Sequence, residues 1–284
     1  MGALGEVGYS VGRALQHLDH EVLPVSSRSP ASGSNVLALD SAIDMLTGGD
    51  INLVVHAGGR GDRREESRDP SAMTQLLGEA CESSRVRGVL ISTVRVLEDA
   101  QAAVPGSATP QCHSAYARAN ERNEAMWLLA APTYGHVLRL ANFLCIPSSV
   151  DSPQVELLPW SLVTEAQTTG TITVRSASSV SREFVAPDDV ARALLAVGTV
   201  DSPARVTSTI PGLRLSLAEL TDSVSEAFGI GGFPRPTVSF GKDLASGPIL
   251  VGDWLSHVGW SSALTPSDVT SMVARWLSEH SSLQ

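Results

Sequence analysis

Short apolar runs alternate along the chain with longer stretches in which apolar positions recur every three or four residues. The runs Glu21–Ser26, Val36–Leu39, Leu53–His56, Val89–Ser92, His136–Leu140 and Thr171–Val174 read as strands. Between them, Val7, Val11, Ala14, Leu15 and Leu18 fall at helical spacing. So do Met73, Leu76, Leu77 and Ala80, and again Ala119, Asn123, Met126, Trp127 and Ala130. Strand and helix in alternation predict an α/β fold, a parallel sheet with crossover helices. After Pro147 the chain becomes richer in Ser, Thr, Pro and Gly and its elements shorten. The organisation expected is a core over residues 1–147 and a smaller, mixed C-terminal portion over 148–284 that returns some elements to the core. Segment 231–253 reads as a Gly/Pro-rich loop, and Asp268–Glu279 as a closing helix.

Composition narrows the class of partner. The 284 residues are 43% hydrophobic and carry a net charge of −10, so a packed globular protein is expected, with neither nucleic acid nor an anionic membrane as partner. Of the 20 basic residues only Lys242 is a lysine. Cys81, Cys112 and Cys145 are odd in number and far apart, which favours neither a disulfide framework nor a metal site. No apolar run approaches the ~18 residues of a membrane helix. No basic segment followed by an apolar one opens the chain, so a cytoplasmic location is the expectation.

The densest chemistry lies at the N-terminus. Gly2, Gly5 and Gly8 are spaced G-x-x-G-x-x-G at the opening of a helix. Such a turn visits backbone angles closed to other residues and lets the main chain approach a pyrophosphate. The helix then offers unpaired N–H groups and its positive end. Gly2, Gly5, Glu6 and Val7 are the candidate contacts, and a glycine-rich helix cap without ligand is the bland alternative. Ser26-Ser27-Arg28 follows at βαβ distance. An acidic residue there would hold a ribose 2′-hydroxyl, whereas Ser27 and Arg28 suit a 2′-phosphate, so NADPH is the expected cofactor. Two features are irregular. A turn of this kind ordinarily follows a buried strand, and only Met1 precedes it, so either the start lies further upstream or another segment fills that place. Pro24, inside an expected strand, lacks a ladder hydrogen bond.

With these residues in view, the chain resembles the extended short-chain dehydrogenases/reductases, the group of nucleotide-sugar epimerases and dehydratases. The resemblance runs in order over nearly the whole chain. Asp40 matches the acidic residue that meets adenine. Val54-Val55-His56-Ala57-Gly58-Gly59 is similar to the strand and small-residue loop beside the cofactor, with Ala57, Gly58 and Gly59 as contacts. Ile91-Ser92-Thr93 resembles the strand end carrying the catalytic hydroxyl, with Thr93 at its position. Ser114-Ala115-Tyr116-Ala117-Arg118-Ala119-Asn120 resembles the Tyr-x-x-x-Lys segment, with Asn120 in place of lysine. Arg139-Leu140-Ala141-Asn142-Phe143 resembles the Arg-x-x-Asn-Val stretch, and Arg182–Ala191 the Arg-Asp-Phe-Val segment. The resemblance implies a Rossmann-like, doubly wound parallel sheet with the C-terminal portion binding substrate.

The departures bear on mechanism. In the family, tyrosine protonates the carbonyl oxygen as hydride arrives, and lysine both holds the ribose and lowers the tyrosine pKa. Asn120 supplies no charge, so Tyr116 suits proton donation in a reduction better than proton abstraction in an oxidation. Thr93, Tyr116 and Asn120 are the candidate catalytic residues, with Asn120 also a neutral donor to the ribose. Ser92, His113, Asn142, Phe143 and Arg182 are candidates for the substrate, and Asn142 also for the cofactor. Against these stand ordinary readings: a backbone-satisfied Ser92, a surface His113, and an ion pair of Arg182 with Asp188 or Asp189. The main expectation is an NADPH-dependent ketoreductase of a secondary metabolite such as an aromatic polyketide, with substrate-assisted protonation. In this it partly resembles the atypical short-chain ketoreductases of antibiotic pathways. The alternatives are a nucleotide-sugar 4-ketoreductase, epimerase or dehydratase, and a non-catalytic NADP-binding regulator. The partner expected is a small-molecule ketone. A homodimer through helices is compatible with the resemblance.

Overall fold

The computed structural model describes residues 6–26, 36–57, 71–97, 103–105, 107–199, 205–243, 249–251 and 253–280. The elements run α1 (Glu6–His17), β1 (Val25–Ser26), β2 (Leu37–Ala38), α2 (Leu39–Gly48), β3 (Leu53–His56), α3 (Ser71–Ser84), β4 (Arg87–Thr93), β5 (Ala103–Pro105), α4 (Ala115–Ala130), β6 (Gly135–Leu140) and β7 (Asn142–Phe143). Then follow α5 (Trp160–Thr169), β8 (Thr171–Ser176), β9 (Ser181–Val185), α6 (Pro187–Thr199), β10 (Thr207–Ile210), β11 (Leu213–Ser216), α7 (Leu217–Ile230), β12 (Thr237–Asp243), β13 (Ile249–Val251), α8 (Asp253–His257) and α9 (Pro266–His280).

The chain divides into two compact units. The first comprises Met1–Ala141, Pro187–Ile210 and Pro248–Ser261, and the second Asn142–Ala186, Pro211–Gly247 and Ser262–Gln284. The chain therefore leaves the first unit at Ala141, ahead of the change in texture at Pro147, and returns to it with α6, β10, β13 and α8.

The first unit is built on a parallel sheet in the order β10-β6-β4-β3. β4 and β6 are its centre. Their runs Gly88-Val89-Leu90-Ile91 and His136-Val137-Leu138 are buried, which a strand covered on both faces requires. Helix α4 lies on β4 and β6 and packs on α3, while α1 packs on α6. This is the Rossmann-like arrangement. Glycine is needed at position 88 for closeness: a Cβ there would stand 2.7 Å from the ring of Trp127 and 2.8 Å from Cys81 Sγ. Trp127, Cys81, Leu77, Leu90 and Val137 form the core between α3, α4 and the sheet.

β1 and β2 pair with each other in a separate two-stranded parallel sheet. Both are shorter than expected, for local reasons. Pro24 has no N–H to give, and the strand begins only after it, its carbonyl taking the Leu37 N–H at 2.8 Å. The strand expected over Val36–Leu39 gives way at Leu39 to α2. Asp40 thus stands exposed in the first turn of α2, two residues past the end of β2.

The second unit holds the larger core. Leu144, Trp160, Val163, Ile172, Phe184, Leu220, Val224, Val273 and Trp276 are buried together between α5, α7, α9 and short strands. β9 lies between β11, antiparallel, and β7, parallel. Helix α7 opens with a reciprocal capping box between Ser216 and Glu219. Segment 231–253 is not simply a loop: Thr237–Asp243 forms β12, parallel to β8, and Ile249–Val251 pairs with β5. The alternation Val238/Phe240 is weak as a hydrophobic signal, because β12 is largely exposed and takes its order from backbone pairing with β8.

Candidate active site

In a parallel sheet every strand ends on the same edge, and ligands of doubly wound sheets sit there. On that edge β3 ends in His56, followed by Ala57, and β4 ends in Ser92 and Thr93. β6 ends in Arg139 and Leu140, with Ser92 opposite Arg139 and Thr93 opposite Leu140 in the ladder. A groove of about 290 Å³ lined by Ile51, Asn52, Arg85, Val86, Arg87 and Tyr134 belongs to the other edge, where these strands begin.

Thr93 closes β4. Its Oγ1 accepts the Arg95 N–H at 3.2 Å and starts a short 3-10 turn, Val94–Val96. The chain then reaches α4 through a segment fixed beside that turn. The Gln111 N–H donates to the Val96 carbonyl at 2.7 Å, and Leu97 bridges Gln111. Ser114 caps α4 by accepting the Ala117 N–H at 3.1 Å. Tyr116 follows in the first turn of α4 and is 36% exposed. His113 is exposed just before the cap, and its carbonyl accepts from the Arg118 guanidinium.

Asn120 sits one turn below Tyr116 and is buried. Its Nδ2 donates to the Tyr116 carbonyl at 2.9 Å. One of the two amide N–H groups is used within the helix; the second N–H and Oδ1 have no partner among the described residues.

One more turn down lies Glu124, which the sequence reading passed over. It is 3% exposed and faces Arg139, itself 2% exposed. Arg139 Nη2 meets Glu124 Oε2 at 2.7 Å, and Nε meets Oε1 at 3.0 Å. Ser92 Oγ donates to Glu124 Oε1 at 2.5 Å, and Arg139 Nη1 donates to the Ala108 carbonyl at 2.7 Å. The signal was present in the spacing 116, 120, 124, which lines one helical face, and in the polar residues Asn120, Asn123 and Glu124 on the buried side of α4.

His56 supports β3 from within. It is buried, tilted against Trp127, and its Nε2 pairs with Thr74 Oγ1 at 3.0 Å; burial pulls its pKa down to about 4, so it stands neutral.

Of the other residues singled out, Val7 is half-buried in α1, whose first residue is Glu6, and Ala57 is half-buried after β3. Gly2, Gly5, Ser27, Arg28, Gly58 and Gly59 lie outside the described residues. Asn142, Phe143 and Arg182 belong to the second unit. There Asn142 Nδ2 donates to the Glu183 carbonyl at 2.8 Å, Phe143 pairs with Val185, and Arg182 Nη1 donates to the Ser181 carbonyl at 3.0 Å. Asp189, one of the ion-pair partners considered for Arg182, pairs with Arg192.

A nicotinamide nucleotide needs a helix N-terminus for phosphate, small residues at a strand end, and hydroxyls near the reacting carbon. The start of α1, Ala57, Thr93 and Tyr116 are groups of these kinds.

Comparison with known proteins bears on the family and the fold. A profile of the NAD dependent epimerase/dehydratase family matches residues 1–206. Among solved structures, the chain is similar to the UDP-N-acetylglucosamine 4-epimerase of Bacillus cereus, with a TM-score of 0.73 at 16% identity over 95% of each chain. It is similar to the L-threonine dehydrogenase of Phytophthora infestans, with a TM-score of 0.74 at 12% identity over 98% of each chain. It is also similar to DesIV, a dTDP-glucose 4,6-dehydratase of Streptomyces venezuelae solved with NAD, with a TM-score of 0.69 at 18% identity over 99% of this chain and 97% of that one. No curated protein sequence matches the chain significantly. The chain belongs to the NAD dependent epimerase/dehydratase family.

Proposed function

We propose that this member of the epimerase/dehydratase family is a reductase of a keto group on a nucleotide-activated sugar, using NADPH, with Tyr116 as proton donor. The observation that carries the reading is the group one turn below Tyr116. Where the family resemblance calls for a lysine, the chain has a buried amide whose nitrogen is turned onto the Tyr116 carbonyl. A neutral amide cannot stabilise a phenolate as an ammonium would, so the phenol serves as an acid. Epimerases and dehydratases use tyrosine as a base and are disfavoured on the same ground.

Family membership favours a sugar nucleotide as substrate, since fold relatives include an epimerase of UDP-N-acetylglucosamine and a dehydratase of dTDP-glucose. That reverses the order of the two readings drawn from sequence. An aromatic ketone protonated by its own phenol becomes the lesser one, and an exposed Tyr116 removes the need for it.

NADPH when bound supplies hydride to the carbonyl carbon. The glycine turn and the start of α1 would hold its pyrophosphate, Ser27 and Arg28 its 2′-phosphate, Asp40 its adenine, and the Asn120 amide a ribose hydroxyl. Thr93 donates a hydrogen bond to the substrate oxygen and orients it. Tyr116 gives that oxygen its proton, so the C=O becomes CH–OH, and the phenolate regains a proton from water.

The test is incubation of the full chain with NADPH or NADH and a UDP- or TDP-linked keto sugar. The expected result is cofactor oxidation with NADPH preferred and a product two hydrogens heavier. Absence of turnover with either cofactor overturns the reading.

A further inference from the structure

The cluster of Ser92, Glu124 and Arg139 takes no part in the steps above, yet it joins the two segments that carry Thr93 and Tyr116. An ion pair this deeply buried is a poor device for stability alone, because desolvation offsets most of the attraction and apolar residues of equal volume would do as well. Its hydrogen bonds, by contrast, are specific. The short contact at 2.5 Å uses the single proton of Ser92, whose hydroxyl donates to Glu124 Oε1. Ser92 then has lone pairs but no proton to offer a carbonyl oxygen. Among the described residues, Thr93 gives its proton to no partner, while its oxygen accepts from Arg95. On the far side of the pair, Arg139 holds the Ala108 carbonyl at 2.7 Å, in the segment that runs into the cap of α4. That segment is itself tied to Val96 through Gln111, just beyond Thr93.

We propose that Glu124 and Arg139 are positioning residues that divide the work of the two adjacent hydroxyls: Ser92 is turned inward as a strut, Thr93 is left as the donor to the substrate oxygen, and the entry to Tyr116 is held in register with both. The inference rests on the reduction reading for its kinetic consequences and on geometry alone for its structural ones.

Five variants of the full chain separate the roles. Thr93→Val removes the donor and is expected to lower kcat by about 10²-fold, the cost of one lost donor to a developing oxyanion. Ser92→Ala removes only the strut and is expected to lower kcat by less than about fivefold, with Ser92→Thr restoring it. Glu124→Gln is expected to lower kcat roughly tenfold, with the KM for NADPH unchanged. Because that variant leaves the Arg139 charge buried, Glu124→Gln/Arg139→Gln repeats the test without an unpaired ion. In both, amide hydrogen exchange is expected to quicken at residues 93–97 and 107–114, while α7 and α9 of the second unit keep their protection. A Ser92→Ala loss as large as that of Thr93→Val overturns the division of roles. A paired variant with wild-type kcat and wild-type exchange overturns the positioning role. If the wild-type chain turns over no keto sugar, the reduction reading fails and the exchange pattern alone decides the positioning role.

Discussion

Acidification is expected to destabilise the first unit between about pH 6.5 and pH 4 through two buried histidines. His56 and His136 are each 3% exposed. Burial pulls the pKa of both from 6.5 to about 4, and at His136 the Arg87 guanidinium adds to the effect. His136 Nδ1 accepts the Val206 N–H at 3.2 Å, a bond only the neutral ring can make. The unfolded chain binds these protons below about pH 6.5 and the folded chain only near pH 4, so stability is full above 6.5 and falls as pH drops between those limits. At about 1.4 kcal/mol per pH unit, each ring contributes about 3 kcal/mol over the whole window and roughly 2 kcal/mol by pH 5. Two rings together amount to some 4 kcal/mol at pH 5, a large share of a typical stability of 5–15 kcal/mol. Glu82 and Glu219 are held below the ordinary carboxyl value of 4.5 by hydrogen bonds, so their contributions are lost only at lower pH and do not blur the window. Urea unfolding measured from pH 8 to pH 4.5, on wild type and on His56→Gln and His136→Gln, checks this. The wild-type free energy should fall steadily below pH 6.5, and each variant should show about half the slope. A flat wild-type profile between pH 6.5 and 5, or an unchanged slope in both variants, refutes the reasoning.

Further outcomes follow from single contacts. Gly88→Ala places a methyl against Trp127 and Cys81 at under 3 Å and is expected to cost about 1–3 kcal/mol, read as a lowered unfolding midpoint. Ser114→Ala removes the α4 cap beside Tyr116 and is expected to cost about 1 kcal/mol, read in the same assay. Tyr116→Phe removes the proton donor and is expected to lower kcat by about 10²-fold with cofactor affinity, read by fluorescence titration, little changed. Asn120→Lys supplies the missing cation, and should raise alcohol oxidation relative to ketone reduction in paired assays of the two directions.

The core strands were legible in the sequence because burial and local pattern agree there. Leu53–His56 was placed to the residue, and β4 and β6 to within a residue or two, since each is a continuous apolar run on a sheet covered by helices. β1 and β2 were overextended, because two short apolar runs around Pro24 and Leu39 carry no sign of where backbone pairing stops. β12 was hidden for the opposite reason: its side chains are mostly exposed, and its order comes from hydrogen bonds that no side-chain pattern records. At the site, Thr93, Tyr116 and Asn120 were legible as a motif, whereas Glu124 was not. Its role depends on Arg139 fifteen residues later and on a serine from a third element, a meeting that only the packing of α4 on β4 and β6 brings about.

The central claim, net reduction of a nucleotide keto sugar, is tested most directly by cofactor stoichiometry. The full chain would be given deuterium-labelled NADPH and a nucleotide-linked keto sugar, and both the oxidised cofactor and the label in the released sugar would be counted. One NADPH oxidised per product, with one deuterium retained at the former carbonyl carbon, is the result expected of an unaided Tyr116 acting as acid. Product formed with no net consumption of cofactor would contradict the account and return the chain to the epimerases and dehydratases of its family.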